Sequence, residues 1–177
     1  GVRPEIECFD TGFYTTALHM INKGVMKGPI HFDFVMNTQG GQIGSVKQLQ
    51  HCVDICPDDC TWTAAPVGPG PIQFATAAAA IGMGGHVRVG LEDNITMPDG
   101  SVATNYDMVA KVARIAKELG REIATPEQAR EILSLKEENK DRILNYIQPE
   151  DELFAVSDLS VFEAEYEASL KKRIVQL

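Results

Sequence analysis

The sequence predicts an α/β fold of parallel strands, and two observations carry this prediction. Apolar, β-branched runs alternate four times with segments of helical periodicity, which is the pattern of repeated strand–helix units. The predicted strands also carry polar side chains at alternate positions, so one face of the sheet is polar. A doubly wound sheet is apolar on both faces, whereas a (β/α)8 TIM barrel tolerates inward polar side chains near its mouth. We therefore predict the barrel.

The predicted elements follow one another along the chain as strand and helix in turn. Strands are predicted at residues 4–9, 30–36, 60–67 and 86–91, and helices at 15–23, 45–55 and 72–81, ended by Gly24, Pro57 and Gly82. After the fourth strand, Asn105 is a candidate cap for a helix that ends at Gly120. Thr125-Pro126-Glu127-Gln128 has the capping-box pattern and predicts the start of another helix.

This number of strands predicts half of a barrel. A full barrel takes about 250 residues and eight strands, and an open parallel sheet leaves two edges that favour association. Residues 1–133 are therefore interpreted as the C-terminal half of a TIM barrel, completed by an N-terminal half in the same chain or in another one. Residues 134–177 are predicted to form a helical C-terminal extension that packs on its own domain or on a partner subunit.

Composition excludes several classes of function. The 177 residues carry 16 basic and 25 acidic side chains, and the net charge of −9 disfavours nucleic acid as a partner. The longest apolar run, which begins at Ala77, is too short to cross a membrane, and the first residues have no secretion signal. The four cysteines, Cys8, Cys52, Cys56 and Cys60, are predicted to be reduced thiols, which fits a cytoplasmic protein.

Candidate functional residues lie on the polar face of the predicted sheet. Arg88 and Glu92, two pleats apart on the fourth strand, would point a cation and a carboxylate into one mouth. Such a pair on a strand is more often a structural ion pair, so the spacing alone leaves its role open. His31 and His86 are candidates for additional ligands or for structural hydrogen bonds, and Asp33 and Asn37 are candidates for the pocket wall.

One segment, GGHVRVGLEDN at residues 84–94, resembles the last barrel strand of the β-keto acid cleavage enzymes. This family includes 3-keto-5-aminohexanoate cleavage enzyme. Further stretches agree in order: PEIE at 4–7, Gly40-Gly41, Thr61-Trp62, DGSVATN at 99–105, LGREIATP at 119–126 and AREIL at 129–133. The resemblance covers about residues 1–133.

The resemblance implies a zinc-dependent, retro-Claisen exchange in which a β-keto acid and acetyl-CoA give acetoacetate and a new CoA thioester. Glu92 matches the glutamate that binds zinc, and the two zinc-binding histidines of the family have no counterpart here and would belong to the N-terminal half. Arg88, Asp93 and Glu7 match catalytic residues; Arg88 would clamp a substrate carboxylate or keep Asp93 ionised, and Asp93 would be the general base.

Several alternatives stay open beside this interpretation. The segment Gly68-Pro69-Gly70-Pro71 offers no basic residue where many family members carry one, so the native keto acid is open. A homo-oligomer is expected. The chain could instead be a non-catalytic half-barrel that serves as an interaction subunit, or another metal-dependent lyase or aldolase on the same scaffold.

Overall fold

The computed structural model describes residues 3–135, which lie within one compact unit, Gly1–Leu135. The strands are β1 (Glu5–Cys8), β2 (His31–Met36), β3 (Thr61–Pro66) and β4 (His86–Val87). The helices are α1 (Thr11–Asn22), α2 (Val46–Asp54), α3 (Gly70–Gly82), α4 (Asn105–Glu118) and α5 (Pro126–Ile132). The predicted helical extension lies outside the described residues, apart from its first two positions.

The four strands form one parallel sheet in the order β1-β2-β3-β4, which confirms the predicted strand–helix repeat. Its register aligns Glu7 with Asp33 and Asp33 with Thr63. In a parallel sheet all carboxyl ends lie at one edge, so the loops that follow the strands share that edge. This arrangement brings residues that are far apart in sequence into one layer.

One face of the sheet forms the main apolar core. Phe32 and Phe34 of β2 are fully buried, and the ring of Tyr14 from α1 stacks on Phe32 at 4.8 Å between centroids. Leu49 of α2 and Ala80 of α3 belong to the same cluster. Burial of these side chains holds α1, α2 and α3 on this face, because removing apolar area from water is the main favourable term in folding.

The caps of α1 and α4 differ from the sequence prediction. Helix α1 begins at Thr11, four residues earlier than expected, because the Asp10 carboxylate caps it by accepting from Gly12 N at 2.6 Å. Helix α4 is capped by Thr104 and not by Asn105: the Thr104 hydroxyl accepts from Asp107 N at 3.1 Å, which forms a capping box. The predicted capping box of Thr125 and Gln128 is confirmed at the start of α5.

The fourth strand is shorter than predicted. It ends at Val87, and the chain then turns at Gly90, whose carbonyl accepts from Asp93 N and Asn94 N, each at 3.1 Å. The expectation that Arg88 and Glu92 lie two pleats apart on one strand is therefore wrong. The alternating apolar residues Val89 and Leu91, which suggested a strand, instead pack on a second cluster around Phe74, Ala103 and Met108.

No helix within residues 3–135 is long and apolar enough to cross a membrane. The four cysteines are free thiols, as predicted.

Candidate active site

Arg88 lies directly after β4, at the carboxyl edge of the sheet. Its N–H continues the strand pairing by donating to the carbonyl of Ala64 on β3 at 3.0 Å. The side chain reaches across the polar face toward β2 and β1, since it contacts Asp33 and Glu7 there. The short fourth strand thus places a cation beside carboxylates from two other strands.

The guanidinium of Arg88 donates along two of its edges. Nε and Nη2 form a fork on Asp93, with Nε–Oδ2 at 3.2 Å and Nη2–Oδ1 at 2.8 Å. Nη1 donates to Glu7 Oε1 at 2.9 Å and to Asp33 Oδ2 at 3.2 Å. Bidentate arginine–carboxylate pairs fix direction as well as energy. We refer to Arg88 with Glu7, Asp33, Glu92 and Asp93 as the carboxylate cluster.

The loop after β4 is built so that Asp93 faces Arg88. The turn at Gly90 reverses the chain, and the carbonyl of Asp93 accepts from Gly68 N at 2.9 Å in the loop after β3. Asn94 follows, and its side chain donates to Thr96 O at 2.6 Å and to Gln73 Oε1 of α3 at 3.1 Å. Asp93 is therefore anchored through its backbone and its neighbour, and its side chain is only 4% exposed.

Glu92 behaves differently from its neighbour Asp93. Its side chain is 85% exposed and approaches Arg88 Nη2 at 3.6 Å, beyond hydrogen-bond distance. Since an exposed ion pair of this length contributes little to stability, Glu92 is free to turn to another partner.

The carboxylate cluster contains one cation and four acidic groups, so its electrostatics are unbalanced. The hydrogen bonds from Arg88 to Asp93 raise the pKa of Arg88 above its ordinary value. The pKa of Asp33 is raised to about 7, and burial is the main cause. The charge of Arg88 lowers this pKa, and the charges of Glu5, Glu7 and Asp93 raise it. An extra positive charge would be stabilised beside this cluster.

A second polar layer lies below the cluster, toward the amino ends of the strands. The ring of His31 bridges two hydroxyls of β3, Nδ1 to Thr61 Oγ1 at 2.7 Å and Nε2 to Thr63 Oγ1 at 2.9 Å. Glu5 approaches His31 Nε2 at 3.5 Å, and the ring of His86 lies 6.0 Å away between centroids. These hydrogen bonds support the structural alternative for His31.

The described residues offer few ligands for a zinc ion. Residues 3–135 contain no group of three His, Cys, Asp or Glu side chains that could hold a metal ion. Glu92 is the one predicted ligand here, and a single carboxylate is too few for a zinc site, which takes three or four protein ligands. The described residues therefore do not make a zinc site by themselves.

The structure brings the predicted site residues together and adds one that the sequence left as pocket wall. Arg88, Asp93 and Glu7 are joined by hydrogen bonds, with Glu92 beside them. Asp33 joins them as a direct partner of Arg88. Asn37, the other candidate for the wall, has a positive φ of 69° and donates to Val67 O at 2.8 Å, so it holds two loops together.

Comparison with known proteins decides the family. The sequence model of the beta-keto acid cleavage enzyme family matches residues 1–135. The chain belongs to the β-keto acid cleavage enzyme family. It is 50% identical over 137 residues to a 3-keto-5-aminohexanoate cleavage enzyme of Fusobacterium nucleatum, covering 77% of this chain and 49% of that protein.

Two further relatives are similar to the chain at lower identity. A 3-keto-5-aminohexanoate cleavage enzyme of Acetoanaerobium sticklandii is 43% identical over 136 residues, 76% of this chain and 49% of that protein. A 3-dehydrocarnitine:acetyl-CoA trimethylamine transferase of Rhizobium meliloti is 35% identical over 135 residues, 76% of this chain and 44% of that protein. The chain thus spans about half the length of the curated relatives it matches.

Proposed function

We propose that this chain supplies the C-terminal half of a (β/α)8 barrel that exchanges acyl groups between a β-keto acid and acetyl-CoA. The products are acetoacetate and the CoA thioester of the acyl group that the keto acid loses. The observation that carries the proposal is the fork of Arg88 on the buried carboxylate of Asp93 at the carboxyl edge of the sheet. Relatives named as cleavage enzymes and as an acetyl-CoA transferase support this reaction class.

The exchange needs a base that removes a proton from carbon. The acetyl group of acetyl-CoA joins the two-carbon carboxylate end of the keto acid, and the remaining acyl group joins CoA. We assign the proton transfer to Asp93, because the Arg88 fork fixes the direction of its carboxylate.

Arg88 is assigned two tasks in the proposal. It orients Asp93, and it binds a substrate carboxylate by exchanging an exposed acidic partner for that carboxylate. Glu7 suits the exchange because its side chain is half exposed and hydrogen-bonded to Nη1. Glu7 would then lie beside the reacting groups, in agreement with its proposed catalytic role.

Zinc enters the proposal through Glu92. Its exposed carboxylate would be one ligand, and histidines of the N-terminal half, in the same chain or in another, would complete the set. The excess of acidic groups in the carboxylate cluster supports a bound cation next to it.

Several wider features belong to the same proposal. We assign residues 1–133 to the half-barrel and residues 134–177 to a helical extension, and we expect a homo-oligomer. The four free thiols fit a cytoplasmic setting, because cysteines stay reduced there. Acetyl-CoA and a β-keto acid are the proposed ligands.

The test is an acetoacetate assay with acetyl-CoA and a panel of β-keto acids. The chain is assayed alone and after co-expression with the N-terminal half of the Fusobacterium nucleatum relative, and that half alone is the control. We expect turnover by the pair and a loss of about 100- to 10,000-fold in kcat for Asp93→Asn, since a general base contributes that much. Arg88→Ala should lose a similar factor. An Asp93→Asn pair as active as the wild type would refute the assignment.

A second candidate is a non-catalytic half-barrel that acts as an interaction subunit. It is favoured by the lack of a three-ligand metal group within residues 3–135. A folded pair that forms no acetoacetate would support this function, whereas cleavage that proceeds without acetyl-CoA would indicate another lyase or aldolase on the same scaffold.

A further inference from the structure

Asp33 is the most deeply buried acid of the carboxylate cluster. Its side chain is 2% exposed, and Oδ2 accepts from Arg88 Nη1 at 3.2 Å. The other oxygen, Oδ1, is buried and has no hydrogen-bond partner. A buried acceptor without a partner lowers the stability of the fold. Oδ1 of Asp33 is therefore destabilising, whereas Oδ2 gains a hydrogen bond from Arg88.

Asp33 is not explained as a stabilising ion pair. Arg88 has three other acidic neighbours, Glu7, Glu92 and Asp93, so removing Asp33 would not leave a buried cation without a partner. Burial also raises the pKa of Asp33 to about 7, which shows that the surroundings disfavour its charge. Removing one partner of a buried ion pair normally destabilises a protein because the other charge is left without a partner. Arg88 keeps Glu7 and Asp93 as acceptors, so the loss on removing Asp33 should be smaller than for an isolated pair.

The geometry gives Asp33 a different role. Nη1 of Arg88 has two acceptors that differ in exposure: the Glu7 side chain is half exposed on β1, whereas the Asp33 side chain is buried on β2, which pairs with both β1 and β3. A buried carboxylate on a strand with two neighbours keeps its position better than a half-exposed one. Holding Nη1 at this point sets the plane of the guanidinium, and that plane directs the Nε and Nη2 edge at Asp93.

We propose that Asp33 is a positioning residue, which fixes the guanidinium of Arg88 and thereby the direction of the Asp93 carboxylate. This inference rests on the proposed function for its consequence in catalysis. The contact between Asp33 and Arg88 can be tested without turnover.

The first test is nuclear magnetic resonance of the full 177-residue chain, following the Nε–H signal of Arg88, which is identified by its loss in Arg88→Lys. Nε–H donates to Asp93 and not to Asp33, so it reports on the plane of the guanidinium. In Asp33→Leu we expect its hydrogen exchange to speed up by about tenfold or more, because Nη1 no longer holds that plane and the bond to Asp93 opens more often. Asp33→Asn keeps an acceptor oxygen and should stay within about twofold of the wild type. Glu7→Leu removes the other acceptor of the same nitrogen and should have a smaller effect than Asp33→Leu.

Two controls separate positioning from general loosening of the sheet. Thr63→Val removes a buried polar group at the register position next to Asp33, but it contacts His31 and not Arg88, so the Arg88 signal should not change. Asp33→Leu should still unfold in a single cooperative transition, which shows that the exchange is measured in a folded chain. Wild-type exchange in Asp33→Leu, or loss of the signal in a folded Asp33→Asn, would overturn the proposal.

The second test uses the active pair described above. We expect Asp33→Leu to lower kcat by about tenfold with KM for acetyl-CoA unchanged, and Asp33→Asn to restore most of it. A rise in KM for acetyl-CoA with kcat unchanged would contradict a positioning role for Asp33. If the wild-type pair has no turnover, the proposed function fails, while the resonance experiment still decides whether Asp33 fixes Arg88.

Discussion

At the scale of single residues, Arg88 determines the chemistry that the described face can offer. Four of the five N–H groups of Arg88 donate to Glu7, Asp33 and Asp93, so a carboxylate that pairs with the guanidinium through two hydrogen bonds has to displace one of these acids. The most exchangeable partners are the exposed Glu7 and Glu92, and the least exchangeable is Asp93. This difference in burial separates the carboxylate that a ligand can replace from the one that must remain.

His31 gives a residue-scale prediction about pH. Burial, and to a lesser degree His86, lowers its pKa from an ordinary 6.5 to about 4. The folded state therefore binds fewer protons than the unfolded state between those pH values, and the free energy of unfolding falls as pH drops through that window. The loss is about 3 kcal/mol when complete.

The measurement compares urea unfolding of the wild type and His31→Gln from pH 7 to pH 4.5. The raised pKa of Asp33 acts in the opposite direction in both proteins, so the difference between them isolates His31. We expect the wild type to lose more stability on acidification than the variant. A constant difference across this pH range would show that His31 is accessible to protons in the folded chain.

The residues of the candidate site were predictable to different extents. One short segment contains Arg88, Glu92 and Asp93, so a local sequence motif was enough to predict all three as site residues. The importance of Asp33 depended on a contact with a residue 55 positions away, set by the register of β2 and the reach of a long side chain. Single-sequence periodicity gives the face of a strand but not its partner across the sheet.

At the scale of elements, the segment around β4 shows where pattern and structure diverge. Val87, Val89 and Leu91 alternate like a strand, yet the pairing of this segment with β3 ends at the backbone hydrogen bond of Arg88. Val89 and Leu91 are buried instead by packing on the cluster around Phe74. The chain there is a turn and not a strand, and this turn carries Glu92 and Asp93. In the longer strands and in α1, α2 and α3, the apolar periodicity predicted the element correctly, because their apolar side chains pack in the core between the sheet and these helices.

The entry to β4 yields a prediction at this scale. A Cβ on Gly85 would lie 2.1 Å from ring atoms of Trp62, which packs against the core. Gly85→Ala should therefore lower the free energy of unfolding by about 1–3 kcal/mol, the usual effect of overpacking. Gly82, at the end of α3, has open space around its Cβ position, so Gly82→Ala should be neutral or stabilise by about 0.4–1 kcal/mol.

Urea unfolding of both glycine variants, read by circular dichroism, measures these effects on one scale. Because both substitutions add the same methyl group three residues apart, a general effect of alanine would appear in both. Equal stability of the two variants would mean that the Trp62 ring moves aside at little cost.

At the scale of the whole molecule, the described sheet has two strands with one neighbour each, β1 and β4. The polar face between them carries the carboxylate cluster, and the chain spans about half the length of its curated relatives. Unpaired strand edges favour association with another segment of chain. Completion of the sheet by an N-terminal half would therefore cover the edges and bring further ligands to Glu92 at once.

Zinc content shows whether an N-terminal half is needed to complete a metal site around Glu92. Purified without added metal or chelator, the chain alone should hold close to no zinc, because a single carboxylate binds the ion weakly. Paired with the N-terminal half of the Fusobacterium nucleatum relative, it should hold about one zinc per pair, and Glu92→Gln should lower that content while Glu5→Gln, an acid of the lower polar layer, should not. About one zinc in the chain alone would mean that its own residues complete a site, and a zinc-free but folded pair would remove Glu92 from the proposed metal centre.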